Sequence, residues 1–311
     1  MEEIFDEYHI PVLYYETLDN LVVNPDGVYV DCTLGGGGHS EGILKRLSPK
    51  GVLISIDQDD QAIEHAKKRL GGYSNWKVFK SNFESMETVI YMAGYDKVDG
   101  ILMDIGVSST QLDDPERGFS YRFDTRLDMR MNSSAKISAY EVVNTYSEGE
   151  LSRIIYEYGE DRFARKIARY IVDSRAQKPI ETTGDLVAII KRAYPARAEK
   201  HPAKKTFQAI RIEVNRELEV LETAINKGLN CLKPEGRLAI ITFHSLEDRM
   251  VKTMFKEFCT GCICPPRLPI CMCNNKPKAK QITRKPIIPS QDELKYNKRA
   301  HSSKLRVIEK V

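Results

Sequence analysis

The sequence contains no apolar run near the length of about 20 residues that a membrane-spanning helix requires. Its first residues, MEEIFDEYHIPVL, lack the cationic start and the apolar stretch of a secretory signal. These two absences argue against a membrane protein and against a secreted one. They favour the cytosol, where the seven cysteines are expected to be reduced thiols or metal ligands instead of disulfides.

Glycine is not abundant either, with 19 in 311 residues, yet four glycines are consecutive in DCTLGGGGHS at positions 31–40. The run directly follows an apolar segment and directly precedes a helical one. A flexible linker at this place would uncouple two elements that must pack together. The glycines therefore predict a tight turn that lets the backbone approach a ligand closely at a helix N-terminus.

Apolar strands and amphipathic helices alternate over the first hundred residues. The predicted strands lie at 27–32, 51–57, 76–80 and 98–104. Such alternation indicates a parallel sheet that is covered on both faces. Strand character disappears between about 112 and 227, where the apolar residues have helical spacing, and returns at 236–244. The sequence therefore predicts an α/β fold with a helical subdomain inserted between the fourth and fifth strands.

Polar residues stand at or just after the ends of the first four predicted strands. They are Asp31, Asp57, Asn82 and Asp104. An open parallel sheet binds ligands at the carboxyl ends of its strands, near a switch in strand order. Asp57 follows Gly38 by 19 residues, close to the spacing of about 20 that is typical of a carboxylate binding ribose hydroxyls.

The glycine pattern bears on the choice of cofactor. A dinucleotide site requires G-x-G-x-x-G, but Ser40 or Glu41, depending on the register, stands where the third glycine belongs. Asp31 would also sit badly beside a pyrophosphate. It suits S-adenosylmethionine (SAM), which has a positive ammonium and sulfonium and no phosphate. The residues favour SAM over NAD, so an NAD-dependent oxidoreductase is the weaker alternative.

Longer blocks resemble the ribosomal RNA small subunit methyltransferase H family, the MraW-type enzymes. They are HIPVLYYE (9–16), DCTLGGGGHS (31–40), DGILMDIGVSSTQLDDPERGFS (99–120), LDMRM (127–131), YGEDRFARKIAR (158–169), HPAKKTFQAIRIEVN (201–215), LKPEGRLAIITFHSLEDRMVK (232–252) and KLRV (304–307). The resemblance implies SAM-dependent N4-methylation of a cytidine at the decoding site of 16S small-subunit rRNA. It implies a class I, Rossmann-like methyltransferase core at 1–111 and 217–311, with an inserted substrate-recognition subdomain at 112–216.

The resemblance also implies which residues bind SAM. By position, the cofactor contacts of the family fall on Gly37, Gly38, His39, Asp57, Phe83, Asp104 and Gln111. Asp104 is the candidate catalytic residue, and it either orients the cytosine amine or serves the cofactor alone. A non-catalytic assembly factor that keeps the SAM fold and only binds rRNA is the alternative function. The intact Asp57, Phe83 and Asp104 argue against that alternative.

Positive charge is concentrated in two stretches of the chain. Residues 276–311 contain eight lysines and three arginines against three carboxylates, and residues 191–216 contain eight cations against two. Such charge predicts a polyanionic partner, with a solvated surface as the alternative. The expected RNA contacts are Arg162, Arg165, Lys204, Lys205, Arg211, Lys298, Arg299, Lys304 and Arg306. Alternation in KLRVIEK predicts that Leu305 and Val307 pack inward while Lys304 and Arg306 face solvent.

Five of the seven cysteines lie close together near the C-terminus. They are Cys259, Cys262, Cys264, Cys271 and Cys273, with the spacing C-x2-C-x-C-x6-C-x-C. This spacing is dense enough for a zinc site. The second pair is C-x-C, however, and the family resemblance supplies no metal. The expectation is a proline-rich surface loop of reduced thiols without a metal, with a zinc site as the alternative.

Several other polar residues are expected to have structural roles. His244 caps the helix that follows it or contacts the target base, and capping is favoured. His39 is expected to contribute to the cofactor loop and not to proton transfer. Asp113, Asp114 and Asp128 are predicted to form turns or ion pairs.

Overall fold

The computed structural model describes residues 11–107, 112–195, 201–265 and 272–311. Gln111 and Cys271 lie outside the described residues. The chain divides into two compact units, one formed by Met1–Gly106 with Val220–Val311 and the other by Val107–Glu219. Within the ranges described, no helix is long and apolar enough to cross a membrane.

The first unit is built on a seven-stranded sheet. Its strands are β1 (Val28–Asp31), β2 (Val52–Asp57), β3 (Trp76–Lys80), β4 (Val98–Asp104), β5 (Leu232–Thr242), β6 (Ala279–Gln281) and β7 (Lys304–Lys310). Their order is β3-β2-β1-β4-β5-β7-β6, and β7 is antiparallel to both of its neighbours. The strand order reverses between β1 and β4, which is the switch point at which open parallel sheets bind ligands.

Helices follow the strands in alternation and then in an uninterrupted series. The helices are α1 (Tyr14–Leu21), α2 (Gly38–Arg46), α3 (Asp60–Leu70), α4 (Met86–Met92), α5 (Ala139–Thr145), α6 (Glu148–Glu157), α7 (Ala164–Arg175), α8 (Thr183–Ala193), α9 (Ala203–Asn215), α10 (Glu217–Cys231), α11 (Ser245–Cys259) and α12 (Gln291–Tyr296). The series α5–α9 falls within the second unit.

Both faces of the sheet are covered, as the apolar strands predict. Val30, Ile54 and Ile101 pack on one face in a cluster that includes residues of α4, α10 and α11. Tyr29 and Leu53, their neighbours in the strands, pack on the other face with residues of α1, α2 and α3. Alternate residues of each strand thus point to opposite faces, so the strands are apolar throughout.

β5 begins earlier than the sequence indicates. Val98 pairs with Leu232, but Gly100 pairs with Arg237, so the residues between them form an irregularity within the strand. Glu235 has a φ of 65° there. The chain therefore forms a bulge inside β5, because Leu232 already extends the ladder beside β4.

The second unit is helical. Its described residues contain no strand, and the isolated bridge between Arg126 and Thr182 is a single pair. Thr182 caps α8 in a capping box with Asp185. The five helices enclose their own apolar core, which includes Val142, Ile154 and Ile190. The fold is thus a Rossmann-like core with a helical unit inserted between β4 and β5.

Candidate active site

Three aspartates stand at the carboxyl ends of adjacent parallel strands. Asp57 ends β2, Asp31 ends β1 and Asp104 ends β4. Asp31 is level with Ser55 of β2 and with Leu102 of β4, so the three ends lie at one edge of the sheet. This edge is where an open parallel sheet binds its ligand.

The four glycines form a tight turn between β1 and α2. Gly35 and Gly37 have φ values of 49° and 76°, in the left-handed region that side chains disfavour. Gly38 begins α2, and a Cβ at this position would clash with the ring of Pro11. No described side chain caps the start of α2. The backbone therefore requires glycine here, and its helix N-terminus is left for a ligand.

Asp57 ties this turn to the next helix. Its Oδ2 accepts a hydrogen bond from the Gly35 backbone N–H at 2.8 Å, and its Oδ1 accepts one from Asp59 at 2.9 Å. Burial raises the pKa of Asp57, while these backbone donors oppose the rise. Each carboxylate oxygen has a second lone pair, so the same side chain has capacity to accept from a ligand hydroxyl.

Asp31 is an internal anchor. Its Oδ2 accepts from Ser40 Oγ at 2.7 Å, and its Oδ1 accepts from the Thr33 backbone N–H at 3.1 Å. The residue is 1% exposed, and burial raises the pKa of Asp31 to about 6. It therefore holds α2 against β1 and places a buried acidic group at this edge of the sheet. Ser40, which sequence analysis noted only as a missing glycine, makes this anchor.

Asp104 has the least satisfied carboxylate of the three. No described residue donates a hydrogen bond to its buried Oδ1. Its Oδ2 lies 3.6 Å from Nδ1 of His39, and its backbone N–H donates to Thr33 Oγ1 at 2.7 Å. Burial raises the pKa of Asp104 to about 8, and the charges of Asp31 and Glu247 raise it further in the same direction.

His39 is fixed beside Asp104. It is 6% exposed, and its Nε2 lies 3.0 Å from the carbonyl oxygen of Val12. Its ring stacks on Tyr14 with centroids 6.2 Å apart. These contacts fix the orientation of the imidazole next to the glycine turn.

The charge of this edge identifies the kind of cofactor that fits it. Buried carboxylates with raised pKa values are stabilised by a positively charged ligand and destabilised by an anion. SAM carries a positive ammonium and a positive sulfonium, so its charge is complementary to the carboxylates of Asp31 and Asp104. Oδ1 of Asp104 can also accept a hydrogen bond from the ligand. A pyrophosphate would meet the same carboxylates with like charge, which disfavours NAD.

The other predicted cofactor residue that the structure describes follows β3. Phe83 opens a 3-10 helix, Phe83–Ser85, and packs partly buried against the core of the first unit. Asn82 caps that helix by accepting from the Glu84 backbone N–H. Gln111 falls outside the described residues. The sequence therefore located the strand end at which Phe83 lies, but Asn82 has a capping role that its position alone did not reveal.

Three residues with predicted structural roles have them. His244 caps α11, where its Nδ1 accepts from the Glu247 backbone N–H. Asp114 caps the 3-10 helix Pro115–Arg117. Asp128 forms an ion pair with Arg130 at 2.6 Å.

The predicted RNA-contacting cations fall into two groups. Six are exposed: Arg162, Arg165, Lys204, Lys205, Lys298 and Arg299. The other three are paired with carboxylates: Arg211 with Glu217, and Lys304 and Arg306 with Asp248.

The expectation that Arg306 faces solvent is wrong, since it is 8% exposed. β7 pairs with β5 and β6 along its two edges, and its residues 305–309 are all buried, the polar ones included. Arg306 Nε donates to Asp248 Oδ1 at 2.7 Å, which compensates the buried charge.

A basic surface that the sequence analysis missed lies beside this pair. A depression in the first unit is lined by Lys252, Lys256 and Arg284, together with Arg306 and neutral side chains. Lys252 and Lys256 are one helical turn apart on α11, so their i,i+4 spacing was a signal available in the sequence. No described carboxylate pairs with Lys252, Lys256 or Arg284, in contrast to Arg306.

A model of the MraW methylase family matches residues 6–311. The chain is 70% identical to ribosomal RNA small subunit methyltransferase H of Fusobacterium nucleatum over 312 residues, covering 100% of this chain and 99% of the relative. It is 54% identical to the protein of that name from Clostridioides difficile, covering 98% and 99%. A solved rRNA methylase from Streptococcus thermophilus has a TM-score of 0.41 at 12% identity, covering 96% and 93%. The chain therefore belongs to the MraW methylase family, whose cofactor is S-adenosylmethionine.

Proposed function

We propose that this chain transfers a methyl group from SAM to N4 of a cytidine at the decoding site of 16S small-subunit rRNA. The two relatives are named ribosomal RNA small subunit methyltransferase H, and each matches this chain over 99% of its length. The observation that carries the proposal is the buried Asp104 carboxylate, whose Oδ1 receives no hydrogen bond from a described residue. We place the reaction in the cytoplasm, where small subunits are assembled.

The chemistry requires an acceptor at the position of Asp104. An exocyclic cytosine amine is a weak nucleophile because its lone pair is conjugated with the ring. SAM supplies an electrophilic methyl group on a positive sulfur. Asp104 Oδ1 accepts a hydrogen bond from the amine and holds its lone pair toward the methyl group. The positive charge of bound SAM favours the ionised form of this carboxyl group, which can then take up the proton that the methylated amine releases.

A second role for Asp104 uses the same oxygen. The ammonium of SAM is also a hydrogen-bond donor that a buried carboxylate accepts well. In that arrangement Asp104 stabilises the bound cofactor alone and the amine is oriented by another group. The two roles predict different ratios of lost rate to lost cofactor affinity, so a conservative variant separates them.

The RNA is proposed to bind through exposed cations on both units. In the inserted unit these are Arg162, Arg165, Lys204 and Lys205, and in the first unit they are Lys252, Lys256, Arg284, Lys298 and Arg299. A target base in folded rRNA must be unstacked before it reaches a strand-end site, so contacts to the surrounding phosphates carry much of the affinity. The inserted helical unit, proposed at 112–216, serves substrate recognition on this hypothesis.

The experiment is a methylation assay with tritiated SAM on small subunits from a strain that lacks this protein. Nucleosides from the product are then separated, and the labelled position is mapped in the rRNA. We expect label in N4-methylcytidine at a single decoding-site position. Subunits from a strain that has the protein are the control, because their site is already methylated. Label in another nucleoside, or an unlabelled product with binding intact, would refute the proposal.

A further inference from the structure

The cysteines near the C-terminus form a cluster that the proposed methyl transfer does not use. The Sγ atoms of Cys262, Cys264 and Cys273 all lie within 4.8 Å of one another. We propose that these three thiolates bind one zinc ion as three of its four ligands. The site lies in the loop between α11 and β6.

The spacing of the sulfur atoms supports a shared metal. Cys262 Sγ and Cys273 Sγ are 3.7 Å apart. Two thiolates bound to one tetrahedral zinc, each at about 2.3 Å, are separated by about 3.8 Å. A disulfide would require about 2.05 Å, so these two sulfur atoms are placed as neighbouring corners of a metal site instead of as a bond.

Backbone amides are directed at the sulfur atoms. Cys264 Sγ accepts from the backbone N–H groups of Met272 and Cys273, each at 3.3 Å. Cys273 Sγ accepts from the Ile263 backbone N–H, also at 3.3 Å. Such hydrogen bonds orient metal ligands, so the loop supplies both the sulfur atoms and the donors that support them.

The loop brings the two halves of the cluster together by contacts of its own. Asn275 Nδ2 donates to the carbonyl oxygens of Thr260 and Gly261, at 3.0 and 2.7 Å. The Lys278 backbone N–H donates to the Phe258 carbonyl at 2.7 Å. These contacts close the base of the loop without sulfur, and the cysteines then converge inside it. A metal would cross-link Cys262 and Cys264 to Cys273 within this frame.

Sequence spacing alone left a metal and a loop of reduced thiols as alternatives, with the latter favoured. The geometry points the other way, because the sulfur atoms of Cys262, Cys264 and Cys273 lie within reach of one ion. Zinc fits this donor set best, since soft thiolates in a tetrahedral array select it.

The test begins with metal analysis of the full chain purified without chelators from zinc-supplemented cells. We expect about one equivalent of zinc, and less than a tenth of that in the variant Cys262→Ser/Cys264→Ser/Cys273→Ser. The matched control is Ile263→Ser, which changes an exposed side chain between two of the cysteines and keeps every thiol. Its zinc content should equal that of the natural sequence.

A second measurement does not depend on the variants folding. Chelator-treated natural protein is titrated with zinc sulfate in a reducing buffer, and hydrogen exchange is followed at Ile263, Met272 and Cys273. We expect one binding event and slower exchange of these three amides once zinc is added, because their acceptors become fixed. Zinc near zero in the purified protein and unchanged exchange on adding zinc would overturn the proposal. So would mass spectrometry showing a Cys262–Cys273 disulfide in the protein as isolated.

Discussion

The first unit has buried acidic groups at one place and exposed basic groups at another. At the strand ends, Asp31 and Asp104 are buried together, and burial raises the pKa of each. On the surface near α11, Lys252, Lys256 and Arg284 are exposed. A buried charge interacts strongly with a small ligand of opposite charge. An exposed charge is screened by solvent and salt, so several such charges are needed for a comparable attraction. The first arrangement suits a cationic cofactor and the second suits a polyanion.

The largest effect is expected when the Asp104 carboxylate at the end of β4 is neutralised. Asp104→Asn keeps the shape of the side chain and removes its charge and its ability to accept a proton. If Asp104 orients the amine, we expect the methylation rate to fall by about 10² to 10⁴, with a smaller loss of SAM affinity. Single-turnover rates and calorimetric SAM binding measure the two effects separately.

The control for this variant is Asp96→Asn, an exposed carboxylate shortly before β4. It should leave both rate and SAM affinity unchanged. Equal losses of rate and affinity in Asp104→Asn would show that the side chain serves the cofactor alone. A variant with normal rate and affinity would remove Asp104 from the site altogether.

A smaller effect is expected at the carboxylate that holds the glycine turn. Asp57→Ala removes the acceptor for the Gly35 and Asp59 backbone N–H groups and a proposed contact to the ribose. Charge-assisted hydrogen bonds are worth about 1.5–3 kcal/mol, so SAM affinity should weaken about 10- to 150-fold. Calorimetry gives the affinity, and a melting curve shows whether the fold persists. Unchanged affinity would exclude Asp57 from the cofactor site.

The basic surface should give a graded response instead. Removing three unpaired cations in Lys252→Ala/Lys256→Ala/Arg284→Ala should weaken subunit binding and flatten the slope of log affinity against log salt by about two to three. SAM affinity should not change. An unchanged slope would mean that this surface does not touch the RNA backbone.

The paired cations of β7 provide the contrasting variant. Lys304 and Arg306 both bind Asp248, whose pKa burial raises but whose hydrogen bonds to Arg306 and Lys304 lower below its usual value. The variant Lys304→Ala/Arg306→Ala leaves the Asp248 carboxylate without these two partners, which should cost about 1–3 kcal/mol of folding stability. The slope of log affinity against log salt should change little. Denaturant unfolding measures the first and the salt series the second. A flattened slope with normal stability would restore the phosphate role expected from the sequence.

The features that depend on neighbouring residues in the chain could be predicted from the sequence. Apolar strands followed by Asp57 and Asp104 indicated the sheet and its ligand edge, and the missing third glycine argued against a dinucleotide. Partners distant in the chain were not predictable in the same way. Arg306 meets Asp248 only because β7 inserts between β5 and β6. The convergence of Cys262 and Cys264 with Cys273 likewise depends on how their loop closes.

The last test probes the charge at the end of β4 directly, through proton binding. A carboxyl group has an ordinary pKa near 3.9, and that of Asp104 is raised to about 8. The folded apo protein therefore binds a proton that the unfolded chain has lost between these values. Stability contributed by this group must fall as pH rises from about 4 to about 8, and Asp104→Asn should remove that part of the slope.

A cationic ligand reverses this shift, because a positive charge beside Asp104 favours the ionised form. At pH 7 a group with a pKa of about 8 is about 0.9 protonated, so SAM binding should release up to about 0.9 proton. Calorimetry in buffers of different ionisation enthalpy measures that number, and Asp104→Asn should reduce it toward the remainder contributed by Asp31 and other groups. Binding that releases no proton from the natural sequence near pH 7 would show that the positive end of the cofactor lies away from Asp104. The acidic edge would then be a feature of folding and not of recognition.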